Sequence, residues 1–216
     1  MNKYNIFWIL IDSARHYQSD EDDRGLPQSV VNFAKKNIHY KNVVTSAPST
    51  IQSISSMMTS TPSYLLSRSY NNYRGNDKSL IYLPHLLKNN GFDIFGAIYF
   101  KHGREVMSHV FDLIESKHFP KNLNHGKEIW NNKDIYRLFK KFSTNHNWIK
   151  PTMTYLHYNV RVDSNISNII DDTLKKISDL GLMDNSIVII NSDHGYPSKS
   201  RNWDKEKAKL EGWGHD

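Results

Sequence analysis

Two apolar segments of the chain each lead to an acidic residue. The run IFWILI at 6–11 is followed by Asp12, and the run IVII at 187–190 leads into SDHG, which contains Asp193 and His194. Ligands of open α/β sheets collect at the carboxyl ends of the strands, so these side chains are candidates for one shared site. Carboxylates and an imidazole are ligands that a divalent cation accepts. Either motif alone is typical of an ordinary turn, but the two together favour a metal site.

A third stretch, TSAPSTIQSISSMMTS at 45–60, carries no charge and is more than half Ser and Thr. From Thr50 onward its apolar residues fall on one side of a helix: Ile51, Ile54, Met57 and Met58. The spacing therefore predicts a helix that begins at Ser49 or Thr50. Free backbone N–H groups and the helix dipole favour an anion at this end. A hydroxyl there is an ordinary N-cap when taken alone, but next to a divalent cation it is an activated nucleophile.

Strand-like and helix-like segments alternate along the chain. We predict strands over 4–11, 39–44, 92–100, 152–158 and 186–192, the last of them buried, and helices over 26–37, 79–91, 132–142 and 163–180. This alternation predicts an α/β fold, with a mostly parallel central sheet and helices on both faces. Segment 101–131 has no legible pattern and is a candidate for a substrate-facing insertion.

Composition limits the classes of function. With 216 residues, 38% of them hydrophobic, the chain is long enough for a single domain over 1–216. The absence of Cys excludes disulfides, thiolate metal sites and a Cys nucleophile. The formal charge of +6 comes from scattered Lys and Arg, which argues against nucleic acid and suits a small anionic substrate.

The hydropathy pattern bears on location. The longest apolar runs fall far short of a membrane-spanning helix, and no signal peptide precedes the first predicted strand. We therefore expect a cytoplasmic protein without a membrane segment. Nothing in the sequence indicates the oligomeric state.

The order of the motifs resembles the sulfatase-like branch of the alkaline phosphatase superfamily. The resemblance covers nearly the whole chain: the strand ending at Asp12, then STIQSISSMMTS, LPHLLKNNGFDIFGA, LHYNVRVD, GLMDNSIVII and SDHG. It implies the same α/β fold and metal-dependent chemistry on phosphoric or sulfuric esters. Relatives continue beyond a His that His215 in GWGHD resembles, so we expect the chain to lack the C-terminal portion of such a domain.

Two hydroxyls compete for the family's nucleophile position. Ser46 in SAPST resembles the sulfatase C/S-x-P-S-R motif, whose nucleophile is converted to formylglycine, but Thr50 stands where that motif has Arg. The family's nucleophile usually lies nine residues before a Thr-Gly pair; Thr59-Ser60 takes that place here, and nine residues back is Thr50. We therefore predict Thr50 as the nucleophile. Because Thr cannot become formylglycine, the aldehyde route of sulfatases is closed to it.

The resemblance also implies a set of metal ligands. Typical sulfatases have paired Asp residues after the first strand, whereas this chain has Asp12-Ser13. Its set is closer to the single-metal site of Thr-dependent members, which transfer phosphoglycerol or phosphoethanolamine groups: Asp12, Thr50, Asp193 and His194. We expect one divalent cation there, Mn or Zn first, with Mg or Ca also compatible with these ligands.

Further residues are assigned from the same resemblance. His157 lies where Thr-type relatives place a His near the substrate and is the candidate acid for the leaving group, although a His that is satisfied by hydrogen bonds at a strand end is an equally simple interpretation. His215 is expected near the metal or the substrate. Arg15 and Lys101 are candidates for binding the anion, although such residues are more often plain surface charges.

The predicted function is thus a sulfatase-like hydrolase or transferase that acts on phosphoric or sulfuric esters through Thr50. Two alternatives stay open. A truncated or degenerate domain would bind an anion or a partner without turnover. A two-metal phosphodiesterase or phosphomutase would need a second ligand set, for which the sequence offers only His215 and His157.

Overall fold

The computed structural model describes residues 4–14, 27–40, 42–66, 80–99, 131–160 and 165–195. Its strands are β1 (Asn5–Asp12), β2 (Asp93–Ile98), β3 (Thr152–Asn159) and β4 (Ser186–Asn191). Its α-helices are α1 (Gln28–Ala34), α2 (Thr50–Thr59), α3 (Leu83–Asn89), α4 (Asn132–Asn145) and α5 (Ile166–Asp179), and short 3₁₀ turns cover Ser63–Leu65 and Met183–Asn185. The predicted insertion at 101–131 lies outside the described residues except for its last residue.

The four described strands form one parallel sheet in the order β2-β3-β1-β4. β1 lies in its interior, so that Asp12 is level with Asn159 of β3, and Leu10 is level with Asn191 of β4. Parallel strands need crossover connections; α4 lies in the one between β2 and β3, and α5 in the one between β3 and β4. Because all four strands run the same way, their carboxyl ends meet at one edge of the sheet.

Alternate residues of β1 face two separate cores. The core toward α4 and α5 is built from Phe7, Ile9, Ile11, Ile135, Phe139, Ile169 and Ile170. The core toward α2 and α3 is built from Trp8, Leu10, Ile54, Met58, Leu83 and Leu87. Helices therefore cover both faces of the sheet, as the alternation of segments predicted. Across the described ranges, each helix is too short or too polar to span a membrane.

Two of the predicted strands differ from the structure. Residues 39–40 and 42–44 form no strand and are exposed, with Tyr40 74% and Val44 90% accessible. An apolar run becomes a strand only when a neighbouring strand pairs with it, and no described strand lies beside this one. β4 forms as predicted but is not buried, since Ile187 is 50% and Ile189 38% exposed. It lies at the edge of the described sheet, where its side chains have fewer neighbours than those of β1.

The turn that ends α5 depends on Gly181. This residue has a φ of +69°, and its N–H donates to the carbonyl of Ser178 over 2.8 Å. A Cβ at Gly181 would meet no atom within 4 Å, so the left-handed backbone is the obstacle to a side chain there. We expect Gly181→Ala to lower the free energy of unfolding by about 1 kcal/mol, measured by denaturant titration. Gly181→Asn is the matched control and should lose less, because Asn tolerates this conformation better. An alanine variant as stable as the wild type would contradict this account of the turn.

Candidate active site

The predicted ligands converge at the carboxyl edge of the sheet. Asp12 is the last residue of β1, and Asp193 and His194 follow β4, the strand that pairs with β1. One ligand atom from each of the three lies within 4.8 Å of the others, and all three side chains are buried. Among the described residues, no other group of three His, Asp or Glu side chains has its ligand atoms this close together. The sheet itself therefore brings together two carboxylates and one imidazole.

The Thr50 hydroxyl lies in the same cluster. Thr50 is the first residue of α2, as the sequence predicted, and its Oγ1 is 3.0 Å from His194 Nε2 and 3.5 Å from Asp12 Oδ2. Ser49 is the N-cap of the helix and makes no side-chain capping bond. Ser46, the competing hydroxyl, is exposed and lies before the helix. Of the two candidate nucleophiles, Thr50 is the one placed beside the carboxylates and the imidazole.

A strained residue connects the two acids. Ser13, directly after β1, has a φ of 64°, in the left-handed region that non-glycine residues rarely adopt. In this conformation its N–H donates to Asp193 Oδ1 over 3.2 Å, and its Oγ donates to Asp12 Oδ1 over 2.6 Å. Backbone strain of this kind is kept where the surroundings hold it in place. The turn after β1 thus fixes Asp12 and Asp193 relative to each other.

Hydrogen bonds to its backbone carbonyl hold Asp193 in place, while one of its carboxylate oxygens accepts no hydrogen bond from the described residues. Its carbonyl accepts hydrogen bonds from Thr45 Oγ1 over 2.6 Å and from Ser53 Oγ over 2.7 Å. Its Oδ1 also accepts the N–H of His194 over 2.9 Å. Its Oδ2 is fully buried and has no hydrogen-bond partner among the described residues. A buried carboxylate oxygen that accepts no hydrogen bond is unfavourable, and a metal ion bound to this oxygen would satisfy it.

The orientation of His194 fits the same role. Its Nδ1 lies 2.9 Å from the carbonyl oxygen of Gly195, and a carbonyl can only accept, so Nδ1 carries the proton. In the neutral imidazole, Nε2 then presents its lone pair toward the cluster, 3.4 Å from Asp193 Oδ2 and 3.9 Å from Asp12 Oδ1. A backbone carbonyl that fixes the tautomer of a ligating His is a common arrangement in metal sites.

Asp12 is surrounded by donors that the sequence did not single out. The Tyr99 hydroxyl donates to Asp12 Oδ2 over 2.5 Å, and Asn159 Nδ2 donates to the same oxygen over 3.3 Å. Asn159 is itself clamped by the side chain of Asn132, which bonds to both its N–H and its carbonyl oxygen. The available signal was weak: each of Tyr99 and Asn159 is a polar side chain at the carboxyl end of a buried strand.

A protein-family model described as Sulfatase matches residues 4–161, well over half of the chain. The chain belongs to the sulfatase family. Among solved structures it is similar to one described as a protein in the alkaline phosphatase superfamily from Vibrio parahaemolyticus, with a TM-score of 0.64 and 14% sequence identity. That match covers 94% of this chain and 57% of the other, so this chain spans little more than half the length of the solved one. No curated protein matches it.

These comparisons confirm the family resemblance and the α/β fold class predicted from the motifs. The sulfatase match includes Asp12 and Thr50 but ends before β4, so Asp193 and His194 lie beyond it. For those two residues, the support comes from their distances to Asp12 and Thr50 in the structure. The family match therefore covers Asp12 and Thr50, whereas the geometry alone relates Asp193 and His194 to them.

The electrostatics of this sulfatase-family site are those of two acids in close contact. Burial acts to raise the pKa of Asp12, but interactions with His157 and the donors Ser13 and Tyr99 outweigh it and hold that pKa well below its ordinary value. Burial raises the pKa of Asp193, and the negative charge of Asp12 raises it further. A charged Asp193 is thus unfavourable in the metal-free protein, and a divalent cation would relieve this.

The remaining predicted residues are placed less directly. His157 lies in β3 with a fully buried side chain, and its Nε2 is 3.8 Å from Asp12 Oδ2. Its contact is with Asp12, so its role as acid for a leaving group stays a prediction. Three predicted substrate-binding residues lie outside the described residues: Arg15, Lys101 and His215.

Proposed function

We propose that this member of the sulfatase family is a metal-dependent hydrolase or transferase that acts on phosphoric or sulfuric esters, with Thr50 as the nucleophile. The observation that carries the proposal is the position of the Thr50 hydroxyl. It begins a helix and lies 3.0 Å from His194 Nε2, beside the cluster that His194 forms with Asp12 and Asp193. The proposed substrate class is a small anionic ester.

The ligand set supports one divalent cation. Asp12, Asp193 and His194 would hold it, with the Thr50 oxygen as the fourth ligand. Such an ion, when bound, lowers the pKa of the hydroxyl and takes up negative charge on a non-bridging oxygen of the ester. Two carboxylates, an imidazole and a hydroxyl suit Mn or Zn, which we propose first, and Mg or Ca are compatible as well.

The first turn of α2 attracts the ester, and Thr50 supplies the nucleophile. The N–H groups of the first turn of α2 have no partner within the helix, and with the helix dipole they attract the anionic oxygens toward Thr50. The Thr50 oxygen then attacks phosphorus or sulfur in line, losing its proton to solvent while the bond to the leaving group breaks. Water or an acceptor alcohol subsequently attacks the Thr50 ester and releases the product, and the hydroxyl of Thr50 is restored.

The choice between phosphate and sulfate gives a test of the proposal. We expect aryl phosphomonoesters or phosphodiesters to be turned over faster than the matching aryl sulfates. The reason is that Thr50 cannot form an aldehyde, so the product must leave by attack on a Thr ester. In the resembling family, a phosphate ester is the better-precedented intermediate for that route. Release of the same phenol from each ester is measured with added Mn or Zn, and with a chelator as the control. A clear preference for the sulfate would contradict the prediction, and metal binding without turnover of any ester would favour the non-catalytic alternative.

A further inference from the structure

We propose that Tyr99 is a positioning residue of this site and acts through its hydrogen bond to Asp12. The inference rests on the proposed binding of a divalent cation by Asp12, Asp193 and His194. The Tyr99 hydroxyl donates to Asp12 Oδ2 over 2.5 Å. The bond joins the ends of β2 and β1, which are not neighbours in the sheet, because β3 lies between them.

The register of the sheet explains how Tyr99 reaches Asp12. Ile98, the last residue of β2, is level with His157 of β3, which in turn is level with Leu10 of β1. Tyr99 lies one residue beyond that row and Asp12 two residues beyond it, both at the carboxyl edge. Two strand spacings of about 5 Å each separate the backbones, a distance that calls for a long side chain with a polar end.

The ring of Tyr99 rests on His157. The two rings meet edge to face, with centroids 5.1 Å apart and planes at 72°. The His157 side chain is fully buried within β3, so it offers the phenol ring a fixed surface. This contact fixes the position of the ring and holds the Tyr99 hydroxyl within hydrogen-bond distance of Asp12.

The consequence is that both oxygens of Asp12 are oriented by donors. Ser13 Oγ donates to Oδ1 over 2.6 Å, whereas Tyr99 and Asn159 donate to Oδ2 over 2.5 and 3.3 Å. Partners of this kind hold a ligating carboxylate in the rotation that the ion requires, and loss of one typically lowers metal affinity by about 10- to 100-fold. Thr50 Oγ1 also lies 3.5 Å from Oδ2, so Tyr99 makes the shortest of the three contacts with this oxygen and is the strongest restraint on it.

The experiment titrates Mn²⁺ alone into metal-free protein and follows the free ion by electron paramagnetic resonance. We expect Tyr99→Phe to bind Mn²⁺ about tenfold more weakly than the wild type. Tyr158→Phe is the matched control, since it also removes a Tyr hydroxyl, one that lies 2.9 Å from Thr173 Oγ1 in the core. This variant should keep the wild-type affinity to within about twofold, because its hydroxyl contacts none of the ligands.

A second variant and a stability measurement separate the outcomes. Asn159→Ala removes a bond to Oδ2 that is longer than that of Tyr99 and should weaken Mn²⁺ binding by a smaller factor than Tyr99→Phe. Thermal unfolding of each metal-free protein establishes that it is folded. Unchanged affinity in Tyr99→Phe overturns the inference alone, and so does an equal loss in Tyr158→Phe, which would indicate general destabilisation. A wild type that binds none of Mn, Zn, Mg or Ca overturns the proposed metal site and this inference with it.

Discussion

Replacing Thr50 by alanine is expected to lower the turnover of aryl phosphates by about a thousandfold or more while the protein stays folded. The substitution removes the one hydroxyl that lies both at the start of α2 and 3.0 Å from His194 Nε2 within the described structure. Alanine is a strong helix former and Ser49 still provides the N-cap, so the helix should be retained. The measurement is kcat in the presence of Mn or Zn, with circular dichroism and thermal unfolding as evidence of folding.

Ser46→Ala is the matched control for the Thr50 variant. Ser46 is exposed, and the hydrogen bond that it accepts from Ser63 Oγ goes to its backbone carbonyl, which the substitution leaves in place. We therefore expect this variant to keep most of the wild-type activity. An inactive Ser46→Ala together with an active Thr50→Ala would show that Ser46 is the nucleophile and that the sulfatase-type motif was the correct alignment.

The second large effect is expected at Asp193. We expect Asp193→Asn to bind Mn²⁺ more weakly than the wild type by more than about a hundredfold, because a direct carboxylate ligand is lost. In the absence of metal, however, the same variant should be more stable than the wild type. A carboxyl whose pKa is raised on folding destabilises the folded state when it is charged, and that stability cost disappears when the charge is removed. The amide also keeps the oxygen that accepts the N–H of Ser13 and His194.

Metal titration and metal-free thermal unfolding at neutral pH measure the two effects at Asp193 separately. Asp179→Asn is the control, since it makes the same chemical change at an exposed acid that pairs with Lys175 over 2.8 Å, away from the ligand cluster. Asp179→Asn should bind Mn²⁺ as the wild type does. If Asp193→Asn bound Mn²⁺ normally, Asp193 would not be a ligand. If the metal-free variant were less stable than the wild type, the burial of Asp193 and its repulsion from Asp12 would not destabilise the folded protein as expected.

The elements that could be predicted from sequence are those whose signal is local. The apolar run before Asp12 and the one-sided stripe after Thr50 placed β1 and α2 correctly, because strand and helix periods are visible within a few residues. The run at 39–44 has a similar strand-like pattern, but no described strand lies beside it and its described residues form none. The burial of β4 was overestimated for a related reason, since apolar content does not reveal whether a strand is central or at an edge.

The residues of the candidate site also differ in whether a local sequence pattern indicates them. The convergence of Asp12 and Asp193 could be predicted because each lies at the end of an apolar strand and parallel strands end at a common edge. Tyr99 and Asn159 could not, because their contacts with Asp12 depend on the strand order β2-β3-β1, which no local pattern encodes. Thr45 was missed as well, since its bond to the Asp193 carbonyl spans most of the chain.

Because β4 lies at the edge of the described sheet, the two strands that position the proposed ligands differ in their free energy of local opening. Within the described ranges β4 pairs with β1 alone, whereas β1 is paired on both sides, so the free energy of local opening is lower for β4. Asp193 and His194 follow the strand that frays more readily, and Asp12 belongs to one that resists opening. An ion shared between them would favour the closed form of β4 by mass action. Occupancy of the site and order in its last strand are then linked quantities, and protection of the β4 amides from hydrogen exchange would rise with the concentration of free metal.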